Sequence, residues 1–276
     1  SIDATLRDDG IFEEAGHIID IASLEALRLS QLDESNGTWG VSLFQVQANL
    51  PNTTPGQGIR ILLFGDTEIE NSVPYFEPLT VTANSNTRLR SSPFSANDFN
   101  VLTGISSGTQ LIANARTEDG EWLRVGYERS SFVMKGWIAA IVVDGDSERM
   151  NLPVADPADA TYGPMQAFYF STGLSDSTCA EVPDNGLLIQ TPEGAGSIDF
   201  LVNEVSIRLG STVYLQDVDN NLRVNLLEGE ASVGANGVRQ FLVPGTFTDV
   251  ELAEDGRSAI GQPTFPQPYD ADVIAR

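Results

Sequence analysis

The chain has 276 residues, 41% of them hydrophobic, with 39 acidic against 15 basic side chains and a formal net charge of −24. That apolar share suits packed cores and rules out a wholly disordered chain. The acidity repels phosphate backbones and anionic membrane surfaces, so neither nucleic-acid binding nor membrane insertion is expected. The longest apolar runs fall well short of the roughly 18 residues that a membrane span needs.

Strand signals dominate from the N-terminus onward: short alternating or β-branched runs, separated by Gly, Asn, Asp and Pro. Phe12–Leu29 is the exception, where Ile18, Ile21, Leu24 and Leu27 follow a helical spacing. An internal repeat argues against that helix. Trp39–Leu50 lies over Leu222–Val233 without a gap, with apolar residues matching at 41/224, 43/226, 44/227 and 48/231. Gly58-Ile59-Arg60 lies over Gly237-Val238-Arg239. Upstream, Ile19-Asp20 and Leu27-Arg28-Leu29 lie near Ile198-Asp199 and Ile207-Arg208-Leu209. The repeat makes Ile18–Leu29 a hairpin and residues 1–76 a β module, a degenerate copy of a C-terminal one.

The middle of the chain carries four ordered motifs. These are Val81-Thr82-Ala83-Asn84 running to Thr87-Arg88-Leu89-Arg90-Ser91-Ser92-Pro93, then Val101–Thr109, Asp119-Gly120-Glu121-Trp122-Leu123-Arg124-Val125, and Gly136-Trp137-Ile138-Ala139. In this order they resemble the bacterial Src-homology-3-like domain. The resemblance implies a small barrel over about residues 79–144 that binds cell-wall peptide or glycan. Leu89, Val101, Leu111, Leu123, Val125 and Ile138 are expected to fill it. Trp122, Tyr127 and Trp137 are the candidate ligand surface. Residues 126–135 read as an insertion over a groove.

Residues 145–184 read as a linker. Its aromatics Tyr162, Phe168, Tyr169 and Phe170 require it to pack on its neighbours. Next come Gly186-Leu187-Leu188-Ile189-Gln190-Thr191-Pro192, Leu209-Gly210-Ser211-Thr212, Leu226-Leu227-Glu228-Gly229-Glu230-Ala231 and Val243-Pro244-Gly245-Thr246. That succession resembles the FecR-type β domain over about 186–252, and gives a third module at 185–253. Nothing catalytic comes with that resemblance. Residues 254–276 form a Pro-rich tail in which Phe265 and Tyr269 are candidate assembly contacts.

Chemistry is sparse. His17 and Cys179 are the only residues of their types, so a nucleophilic triad would have to use one of them and a His/Cys metal cluster lacks parts. Asp217, Asp219, Asn221 and Glu228 have the spacing of a calcium loop, but Leu222 stands where that loop needs Gly, and a hairpin turn explains the segment better. No cofactor and no metal are expected. The chain starts at Ser1 without Met, as it would after removal of a leader and equally as a fragment of a longer chain.

The expectation is therefore an all-β protein of three small modules, non-enzymatic, and extracellular or at the cell surface. Its copies would form a homo-oligomer or polymer through β edges and the tail, each contact burying above roughly 1,000 Å². Deleting 261–276 is expected to weaken assembly. The alternative is a cell-surface module that binds a cell-wall peptide or glycan.

Overall fold

The computed structural model describes residues 2–7, 21–31, 35–36, 39–46, 58–73, 79–129, 132–144, 148–156, 165–173, 185–192 and 196–269, together with 12, 17, 19, 162 and 194. These residues are almost wholly β, as the sequence leads one to expect. The only helical pieces among them are short 3-10 turns at Ile21–Ser23, Ala140–Val142 and Arg149–Asn151. Residues 24–29 are a strand, so no continuous helix spans 18–29.

The first strands are β1 (Ile2–Leu6), β2 (Leu24–Leu29), β3 (Val41–Val46), β4 (Ile59–Phe64) and β5 (Thr67–Asn71). A second group follows: β6 (Leu79–Thr82), β7 (Thr87–Arg90), β8 (Val101–Ile105), β9 (Gln110–Arg116), β10 (Trp122–Arg129) and β11 (Phe132–Ala139). The remainder are β12 (Ala167–Thr172), β13 (Gly186–Gln190), β14 (Ile198–Val202), β15 (Val205–Leu209), β16 (Thr212–Val218), β17 (Asn221–Glu228), β18 (Ala231–Ala235), β19 (Val238–Leu242), β20 (Thr246–Glu251) and β21 (Gln267–Pro268).

These strands form two compact units. One comprises residues 1–74 and 162–276, the other residues 75–161. In the first, an eight-stranded sheet runs β1-β2-β5-β12-β14-β15-β18-β19 and a seven-stranded sheet runs β21-β20-β17-β16-β13-β4-β3. Their inner faces share one hydrophobic core, with Leu27, Ile69, Phe168, Phe170 and Phe200 from the first sheet and Ile61, Leu187, Leu215 and Val224 from the second. The two-residue period drives this: in β4, Ile59, Ile61 and Leu63 point inward and are buried while Arg60 is exposed. Fully burying each such side chain contributes about 1.5–3 kcal/mol.

The three expected modules are thus two units. Segments 1–76 and 185–253 do not fold separately, because β4 pairs along its length with β13. The expected linker is no linker either. Phe168 and Phe170, each 1% exposed, lie on β12, which pairs with β5 on one side and β14 on the other. Two of the aromatics that argued against a floppy segment, Phe168 and Phe170, are core residues.

The sandwich is internally duplicated, in a register different from the one the sequence suggested. Strands β1-β2-β3-β4-β5-β12-β13 correspond in order, sheet and neighbours to β14-β15-β16-β17-β18-β19-β20. Cross-strand partners match apart from bulges at Thr5/Leu6 and Thr212/Val213. Ile2 faces Leu29 and Asp3 faces Arg28, as Ile198 faces Leu209 and Asp199 faces Arg208. Gln45 faces Arg60 as Gln216 faces Arg223. Ile69 faces Leu27 as Val233 faces Ile207. Gly65 and Gly229, at φ 75° and 74°, make the equivalent turns out of β4 and β17. The expected match of Leu27-Arg28-Leu29 with Ile207-Arg208-Leu209 holds. The expected match of Gly58-Ile59-Arg60 with Gly237-Val238-Arg239 does not, since β4 and β19 lie in different sheets. An alternating strand overlays on almost any other strand; only its neighbours in the sheet settle the register.

The first copy carries the second unit as an insertion between β5 and β12. The second copy makes the same connection with Asn236 and Gly237, both at positive φ as a tight two-residue hairpin requires.

The inserted unit is a six-stranded antiparallel sheet, ordered β6-β9-β10-β11-β7-β8, around its own core. Of the residues expected to fill it, Leu89, Leu111, Leu123, Val125 and Ile138 are buried and Val101 is half-buried. The described residues of 126–135 form no covering insertion. They extend the β10–β11 hairpin, with Gly126 opposite Lys135 and Tyr127 opposite Met134.

Candidate functional site

The three aromatics proposed for the inserted unit are not brought onto one surface. Strand alternation places Trp122 on one face of β10 and Tyr127 on the other, where Tyr127 packs against the core with Leu123 and Val125. Trp137, on β11, is 5% exposed and faces Arg124 on one side and Arg90 on the other. It fills space and has little surface to offer a ligand. Trp122 remains half-buried at the mouth of two adjoining depressions. One is lined by Asn86, Arg88 and Ser95, the other by Asn84, Glu121, Ile141 and Arg149.

Ile141, 86% exposed, is the apolar neighbour that sequence reading missed. The run Ile138–Val143 is apolar throughout, and the 3-10 turn Ala140–Val142 rotates Ile141 outward within it. The rim of the first depression is rigid. Arg90 donates to the carbonyl of Asn97 and to Asn100 Oδ1, both at 2.7 Å, and Asn100 donates to Ser92 Oγ and to the carbonyl of Phe94.

The sandwich offers a second kind of site at its sheet edges. β3 pairs only with β4 among the described residues. Its sequence, Val41-Ser42-Leu43-Phe44-Gln45-Val46, carries no charge, and Val41 and Leu43 are 43% and 65% exposed. β19 is likewise an edge, with Phe241 75% exposed and Val243 just beyond it 63% exposed. Edges of soluble sheets are usually blunted by charge or Pro, so an uncharged apolar edge strand marks a place where another chain can pair.

The described part of the Pro-rich tail, residues 254–269, lies on its own chain. β21 pairs with Thr246 and Phe247 of β20. The Thr264 amide donates to the Asp249 carbonyl at 3.0 Å, the Thr264 hydroxyl accepts from the Asp249 amide, and the Tyr269 amide donates to the Gly245 carbonyl at 3.1 Å. Of the two tail aromatics, Phe265 is 82% exposed and Tyr269 half-buried.

The calcium-like spacing is not gathered into a loop. Val218 faces Asn221 across a two-residue turn whose Asp219 and Asn220 have φ 52° and 63°. Glu228 sits at the far end of β17, about 20 Å of extended strand from Asp217 at 3.3 Å per residue. His17 is half-buried outside any strand, and Cys179 falls outside the described residues. Among the described residues, no group of three or more His, Cys, Asp and Glu side chains is placed to hold a metal ion.

Asp217 is instead a carboxylate whose pKa is raised. Burial is the main cause and the neighbouring Asp219 charge adds to it, against the Asn220 amide that donates to it. A raised folded-state pKa means that folding is penalised when the group is charged. The penalty is full at neutral pH and vanishes below the ordinary carboxylate range near about 4. Asp217→Asn is expected to raise the melting temperature at pH 7, the gain shrinking to nothing by about pH 3. A gain independent of pH would assign the effect to something other than charge.

Comparison with protein-family models, with curated proteins and with solved structures finds no match to this chain.

Proposed function

We propose that the chain is a non-enzymatic structural protein of an extracellular or cell-surface assembly, its copies joined through the free sheet edges of the sandwich. The observation that carries this reading is β3, an uncharged edge strand with Val41 and Leu43 open to solvent. The same strand in a protein meant to stay alone would invite aggregation. The net charge of −24 opposes close approach of identical chains. Assembly should therefore strengthen as salt or a divalent cation screens that repulsion, the Debye length falling from about 30 Å at 0.01 M to about 8 Å at 0.15 M. Sedimentation velocity across protein and salt concentrations measures this. Mass that grows with both supports the reading, and a monomer under all conditions overturns it.

A second reading rests on Trp122 and Ile141. An aromatic and an aliphatic side chain beside Arg88, Arg149 and Glu121 suit a cell-wall peptide or glycan, and binding of such fragments that Trp122→Ala abolishes would favour it.

A further inference from the structure

The duplication specifies more than the presence of edges. Inside the chain the two copies join at two places. β12 of the first copy runs parallel to β14 of the second, with Ala167 opposite Leu201 and Phe168 opposite Val202. β13 pairs antiparallel with β16, with Leu187 opposite Leu215, Leu188 opposite Tyr214, Ile189 opposite Val213 and Gln190 opposite Thr212. The counterparts of β12 and β13 are β19 and β20, at one end of the sandwich. The counterparts of β14 and β16 are β1 and β3, at the other. The strands left at the two ends are thus the two halves of a junction the protein already makes once.

We infer that a second copy of this chain docks head to tail in the register of that internal junction, β19 against the neighbour's β1 and β20 against the neighbour's β3, and that the chain's own tail occupies the β20 seat until it is displaced. This inference rests on the assembly reading above. It places Thr246, Phe247, Thr248 and Asp249 opposite the neighbour's Phe44, Leu43, Ser42 and Val41.

Burial supports that register. Leu43 is 65% exposed, yet its counterpart Tyr214, seated in the internal junction, is 5% exposed. Val41 is 43% exposed, and its counterpart Thr212 is 6% exposed. Two edge positions are apolar and bare where the equivalent pair is covered. β3 brings no charge to meet Asp249, so the junction adds no local carboxylate repulsion. A contact that joins unlike ends does not close on itself as a two-fold dimer does; repetition gives a filament, or a ring where the rotation closes.

The tail holds its seat only lightly. Thr264 and the two-residue β21 cover Thr246–Asp249, the same stretch that a neighbour's β3 would pair. Pro263, Pro266 and Pro268 have no amide proton to give, so the tail is a poorer ladder partner than β3. Removing the tail should therefore promote assembly, the opposite of what the sequence alone suggested. The inter-chain junction also lacks the Asn203 amide that bonds both backbone groups of Phe170 internally; Arg7 stands at the corresponding position.

The experiment uses the full chain with Thr246→Cys and Pro268→Cys, a facing pair, in a Cys179→Ser background. It is examined by sedimentation velocity and negative-stain electron microscopy, oxidised and reduced, beside a truncation ending at Gln262. The oxidised form should stay monomeric. The reduced and truncated forms should assemble, and Leu43→Lys should raise the concentration they need by about tenfold or more. If the oxidised form assembles as readily as the reduced one, β20 is not the seat and the inferred junction falls, while assembly through edges stands. If every form, folded by circular dichroism, stays monomeric up to about 1 mM, both fall.

Discussion

Replacing Asn203 by alanine should destabilise the sandwich by about 3–5 kcal/mol, one of the two largest effects expected from single substitutions. Asn203 is 1% exposed and lies just past the end of β14, at φ 50°. Its amide does what the next residue of a strand would do. Oδ1 accepts from the Phe170 amide at 2.7 Å, and Nδ2 donates to the carbonyls of Phe170 and Gly256, each at 2.7 Å. Alanine leaves the Phe170 amide and carbonyl buried without partners, at about 1–3 kcal/mol each, and gives up the tolerance of Asn for left-handed backbone. Urea titration of the two variants Asn203→Ala and Asn203→Gly checks the assignment. Glycine relieves the backbone but not the lost bonds, so it should remain within about 1 kcal/mol of alanine. A glycine variant as stable as the parent would mean that the bonds contribute little.

Trp137→Ala should cost the inserted unit about 3–5 kcal/mol, the range for emptying a large buried aromatic site. A unit of this size has little more than that to lose, so its calorimetric transition should move far down or disappear. The indole is 5% exposed between strand partners Arg124 and Arg90. An unchanged transition would mean that Trp137 lines a groove. Trp122→Ala, at a half-buried rim, should by contrast shift the transition by no more than about 1 kcal/mol.

Much of this molecule is legible from its sequence at the level of strands. β3, β4, β16 and β17 follow from two-residue alternation, and the Asp219-Asn220 and Asn236-Gly237 turns from residues that accept positive φ. A repeat is legible too, because Leu27-Arg28-Leu29 and Ile207-Arg208-Leu209 keep both pattern and composition. What alternation does not encode is partnership. β3 could be laid over β17 because both read apolar at every second position, whereas the sheet pairs β3 as it pairs β16. The partner of β5 is β12, roughly 95 residues away, and nothing local to Thr67–Asn71 names it. The same blindness turned a core strand into a linker: Phe168 and Phe170 sit in a Pro-containing stretch that looks like a connection until its neighbours are known. For the candidate sites, the sequence supplied Trp122, but face and burial decided against joining it to Tyr127 and Trp137. The exposure of Ile141 depends on one 3-10 turn that no periodicity announces.

The place of insertion ties the two units together through chain entropy, whatever their surfaces do. Asn71 and Phe168 are cross-strand partners, so the roughly 95 residues between β5 and β12 must begin and end one strand spacing apart. While the inserted unit is folded, it does much of this closing itself: the Asp144 amide donates to the Thr82 carbonyl at 2.9 Å, beside a bridge between Ala83 and Val143. Once it melts, the sandwich must hold shut a flexible loop of that length, which costs on the order of 2–4 kcal/mol. Heat or mutation that reaches only the insert therefore also draws down the reserve of the sandwich around it.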